Sequence, residues 1–236
     1  MNDGLPEVSI RMTEETLGAL SASGCFLYGL CGVRAADAAG RPAVWLQTRG
    51  YAMHTRVRPP AQLLAFTAGL TRPLAEGLQV QAGFHAPAEP GQTLVVALPG
   101  GGGEMRERGA PDAVSVLNTT DAQLTCGLAC LVDGEAIPFY AAPLYGGALQ
   151  IIEPLPRVLL FISPQPAPPG TVVSTTTGPG VLLHLAPGAD AQLEFHVNAG
   201  WSWGDGVRAE RVPAQSDLLP LLVEYPSPAA PRTGLG

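Results

Sequence analysis

Two prolines, Pro154 and Pro156, stand between the two densest apolar runs of the chain, Gly147–Ile152 and Val158–Ile162. A helix of useful length cannot cross them, because each removes a backbone donor and blocks the preceding turn. Both runs are short, rich in branched residues and closed by Gly or Pro. That pattern reads as strands buried on both faces. Turn formers continue at this density throughout, with 29 Gly and 24 Pro in 236 residues. Many short strands are expected, so the fold class is all-β, with at most one short N-terminal helix. That helix is capped by Thr13 or Thr16, carries Glu14 and Glu15 in its first turn, and stops near Gly24.

Hydrophobic residues make up 46% of the chain and charged residues only 14%, which is globular rather than disordered. The length suits one large β body or two small domains. All 13 basic residues are Arg. A chain without Lys has no Schiff-base chemistry, no lysine base and no phosphate-loop lysine. The net charge of -7 and the lack of a basic cluster argue against nucleic acid or an anionic membrane as partner. The opening residues MNDGLPEVSI lack a basic region followed by an apolar core, so a cytoplasmic location is expected. Cys25, Cys31, Cys126 and Cys130 fall inside apparent strands without CxxC spacing or a neighbouring His. Buried, reduced thiols are the expectation, not a zinc site.

Two segments can be laid over each other. Val8-Ser9-Ile10 matches Val114-Ser115-Val116, and a Thr-rich turn follows each. Next come the Cys-containing strands GCFLYGLCGV and LTCGLACLV, then a turn with Asp and Gly, then Pro42 or Pro138 entering another strand. Order and strand character agree while residue identity is low, which points to an internal repeat. The expected organisation is a first β unit at 1–99, a Gly-rich linker at 100–111, a second β unit with the C-terminal strands at 112–225, and a flexible Pro-rich tail at 226–236. The units would form a β-sandwich, either in tandem or about a pseudo-twofold axis. Asp133-Gly134 and Asn118-Thr119-Thr120 both read as hairpin turns.

Chemistry-bearing residues are few. Trp201 and Trp203 stand two apart, so in an extended chain they face the same side, and Gly and Asp205 around them suggest a surface loop. Flat aromatic faces beside carboxylate and amide groups suit stacking on sugar rings. Tyr145 is a further aromatic near a loop end. The four histidines are scattered singly, and only His54 and His184, in strand-like runs, are candidates for a buried base. No GxSxG elbow and no metal-ligand spacing occurs, so neither cofactor nor metal is expected.

Three readings result. The first is a soluble, non-catalytic, lectin-like binding protein for a small molecule or carbohydrate, using Trp201, Trp203, Asp205 and Tyr145. The second is a cofactor-independent cyclase or isomerase with an apolar pocket reached by His54 or His184. The third is a self-assembling structural protein forming a homo-oligomer, since Lys, a usual guard of strand edges, is missing.

Overall fold

The computed structural model describes residues 6–186 and 188–226. The chain opens with β1 (Val8–Met12), α1 (Glu14–Ala22), β2 (Phe26–Ala35), β3 (Arg41–Pro42) and β4 (Leu46–Thr48). There follow β5 (His54–Val57), β6 (Leu63–Ala68), β7 (Phe84–Ala88), β8 (Thr93–Val96) and β9 (Gly103–Arg106). The second half holds β10 (Val114–Asn118), β11 (Leu124–Val132), β12 (Glu135–Leu144), β13 (Leu149–Ser163) and β14 (Gly180–His184). It ends with β15 (Ala191–His196), β16 (Gly200–Trp203), β17 (Ala209–Val212), α2 (Leu219–Leu222) and β18 (Val223–Glu224). The all-β class stands.

Local chemistry explains the punctuation. The Thr13 hydroxyl oxygen accepts from the Thr16 N–H at 3.2 Å and caps α1, and Gly24 leaves the helix at φ 63°. A second helical turn, α2, departs from the single helix expected. Pro220 starts it, and Leu222 is buried in the core. Asp133 (φ 50°) and Gly134 (φ 85°) make the tight turn between β11 and β12. The two apolar runs around Pro154 and Pro156 form one strand, β13, whose pairing with β2 is interrupted between Pro154 and Val158. The prolines bend this strand rather than end it.

Three sheets result. One has the order β16-β15-β1-β5, and one of five strands has β3-β12-β11-β6-β7. The nine-stranded sheet runs β17-β14-β13-β10-β8-β9, with β2, β4 and β18 attached through β13. A single buried cluster draws on all three, including Ile10, Leu193, Leu94, Val116, Leu128 and Leu160.

The halves of the chain interleave. β1 lies between β5, antiparallel, and β15, parallel; β10 lies between β13, antiparallel, and β8, parallel. β2 pairs with β13 while β11 pairs with β6. β6 continues to β7 and β13 to β14; β8 turns back as β9 and β15 as β16. The tandem arrangement of two separate bodies is therefore corrected, because strands before and after residue 100 share every sheet.

Other expectations change as well. The Gly-rich segment at 100–111 is not a plain linker. It contains β9 and the turn from β8, where Gly101 takes φ 91°. Asn118-Thr119-Thr120 is not a hairpin, because β10 and β11 do not pair with each other. The Asn118 side chain is buried there, donating to the carbonyls of Ala122 (2.7 Å) and Tyr145 (3.2 Å). Apart from Pro226, the tail at 226–236 lies outside the described residues. Among the described residues no helix is long and apolar enough to cross a membrane.

Candidate functional site

The β1–β15 pairing builds a polar cleft. Alternation along AQLEFH and VSIRM sends Ala191, Leu193, Phe195, Ile10 and Met12 into the core. Gln192, Glu194 and Arg11 consequently face solvent. Register sets Arg11 beside Glu194 and Glu194 beside Ser202, forming a row across three strands. The turn after β16, Gly204-Asp205-Gly206-Val207, closes one side, with Gly206 at φ 92°. The resulting cleft has a volume of about 580 Å³ and includes Trp203, Asp190 and Asp205 in its wall.

The two tryptophans do share a face, but that face begins in the core. Trp201 is only 2% exposed. Its ring meets Phe195 with centroids 4.9 Å apart, and its Nε1–H donates to the Pro179 carbonyl at 2.9 Å. The expected loop position for Trp201 is thus corrected: it is a framework side chain with no face left for a ligand. Trp203, one step further along the strand, is half-buried at the lip of the cleft. Arg211 lies with its guanidinium carbon 5.9 Å from the Trp203 ring centroid, on the side toward β17. Asp205 is exposed in the turn.

The polar groups of the cleft are lightly engaged. Arg11 and Glu194 are 3.9 Å apart and each about two-thirds exposed, a pairing of little energetic weight. Asp190 accepts from the Glu7 N–H at 3.0 Å through one oxygen. Donors and acceptors therefore remain able to turn toward a ligand.

Tyr145 does not join this site. It is 55% exposed and borders a separate cleft of about 240 Å³ with Arg41, Arg72 and Gln123. His54 is exposed on β5, in register with Arg11 but outside the cleft wall. His184 is half-buried at the end of β14, its Nε2 3.9 Å from a Glu210 oxygen. Neither histidine lines the cleft beside Trp203, the cleft beside Tyr145 or the apolar groove at Pro154 and Pro156. The pocketed base that the enzyme reading needs is not assembled by these two residues.

One apolar groove, of about 240 Å³, lies where Pro59 and Pro60 approach Pro154 and Pro156. Arg157 borders it but is already held, donating to the Leu221 carbonyl at 3.0 Å and to Glu224. Glu224 also accepts from Arg34 at 2.9 Å, and Arg34 donates in turn to Glu153 at 2.6 Å. The Arg34 hydrogen bond, opposed by burial and reinforced by Arg157, holds the Glu224 carboxyl below the usual glutamate range. Cys31, also on this groove, has its thiol pushed well up by burial, with Cys130 adding to the shift. Burial pushes Cys130 itself up to about 12. These thiols are protonated and poor nucleophiles.

Sequence reasoning missed Arg11, Asp190, Gln192, Glu194 and Ser202. The alternation of β1 and β15 marks their outward faces. Their convergence depends on a parallel pairing that joins positions more than 180 residues apart. Comparison with known proteins returned nothing to compare: no protein-family profile, curated protein or solved structure matches the chain.

Proposed function

We propose that this chain is a non-catalytic binding protein that takes a small hydroxylated ligand, such as a glycan unit, in the cleft beside Trp203. The observation that carries this reading is a cleft of carboxylates, an amide, a hydroxyl and a guanidinium that has the half-buried Trp203 in its wall. A sugar ring stacks its C–H face on such an indole while its hydroxyls bond to Asp205, Glu194, Gln192 and Arg11. The ligand set is thereby revised: Trp203 and Asp205 stay, Trp201 supports them from below, and Tyr145 falls away. We further infer that the chain consists of two sequence-related units that exchange strands, which the matching pairings of β1 and β10, and of β2 and β11, support.

Screening the full chain on a glycan array, then titrating hits by tryptophan fluorescence, tests the reading. Trp45 and Trp201 are 6% and 2% exposed, so a ligand-dependent emission change reports chiefly on Trp203. Trp203→Ala and Asp205→Asn should each weaken binding about tenfold or more. No array ligand, or a ligand whose affinity survives both substitutions, would sink the proposal.

A further inference from the structure

The strip β13-β10-β8-β9 presents a different kind of surface. Register places Leu149, Leu117, Val95 and Glu104 in one row across its outer side, and Ile151, the buried Ser115 and Thr93, and Arg106 in the next. Leu149 is 51% exposed and Ile151 41%, and Leu98, 61% exposed, stands in the adjoining β8–β9 turn. β9 ends its sheet, and among the described residues no strand occupies its outer edge. A bare edge next to exposed branched side chains is a surface natural sheets usually guard with charge.

We propose that the β9 edge of this strip is the interface between two copies of this chain, related by a twofold axis that sets β9 antiparallel to β9 of the second copy. Charge selects this occupant. β9 carries one acid and one base, Glu104 and Arg106, two residues apart on the same face. An antiparallel twofold centred on Met105 brings Glu104 of each copy opposite Arg106 of the other, so both charges are matched twice. Each chain carries a net charge of -7, so copies repel over most of their surface. β9 is neutral in sum, so approach along its edge is less opposed.

Sedimentation of the full chain across the micromolar range reads the equilibrium. The wild type should pass from monomer to dimer as concentration rises. Leu149→Arg combined with Ile151→Arg, three strands from that edge, should leave the dimer unchanged. Glu104→Arg should weaken the dimer at least tenfold by facing Arg106 of the second copy with a like charge. Adding Arg106→Glu to Glu104→Arg should restore it, an outcome that a merely sticky surface would not produce. Circular dichroism checks that each variant is folded; the charge exchange on an exposed edge carries the test if the double-arginine variant is not. The proposal is overturned by a wild type that is monomeric throughout, including one that instead floats with phosphatidylcholine vesicles. A dimer indifferent to Glu104→Arg overturns it equally.

Discussion

Two four-stranded strips of this molecule have the same pairing order and opposite outer surfaces. In β5-β1-β15-β16 the solvent side carries His54, Arg56, Arg11, Glu194 and Ser202. Corresponding positions of β13-β10-β8-β9 hold Leu149, Ile151, Leu117, Val95 and Glu104. Their inner sides are alike: Ile10 matches Val116, Leu193 matches Leu94, and Val57 matches Ile152, all buried in one cluster. The fold is held by the inner positions, so the outer ones were free to become a polar cleft on one strip and an apolar plate on the other.

The largest expected break in this likeness is at Trp201, whose counterpart is Gly103, so that the half-buried Met105 is the one inner side chain β9 supplies. Trp201→Ala should cost about 3–5 kcal/mol in guanidinium unfolding, whereas Met105→Ala should cost less than about 2 kcal/mol. Equal losses would mean that the two inner faces carry the same burden. A smaller contrast lies just beyond β5 and within β13, where Arg58 and Glu153 correspond. Glu153 belongs to the Arg34–Glu224–Arg157 network, and Glu224→Gln should cost about 1–2 kcal/mol after allowing for its partial exposure. Because the folded state holds Glu224 below its ordinary range, its contribution is present at neutral pH. That contribution is lost as pH falls below the ordinary glutamate range and through the lowered value. Melting temperatures measured down this acid limb should converge for wild type and Glu224→Gln; a constant gap would refute the linkage. Smallest of all, Arg58→Ala should leave the unfolding midpoint unchanged. Its 2.9 Å pair with Glu7 is made by a side chain 68% exposed.

Local features were legible. Thr13 and Gly24 bracket α1, Asp133-Gly134 turns where two centre positions need positive φ, and prolines exclude a helix across β13. Trp203 could be placed at a strand end because aromatic and turn residues together mark one. Trp201 was misplaced because i, i+2 spacing tells that two rings share a side and not which side is the core. The Gly run before β9 looked like a linker because turn glycines and linker glycines have the same composition. Arg11 and Glu194 stayed hidden because nothing local to VSIRM announces a neighbour in AQLEFH.

The parallel pairing of β1 with β15 also governs how the chain must fold during synthesis. Contacts of such long separation form late and slow the search. The first strand emerges from the ribosome well before β15 exists, and the edge it offers to β15 stays unfilled until the chain has grown past residue 190. The first hundred residues alone should accordingly stay unfolded, and regain order when mixed with the separately produced remainder.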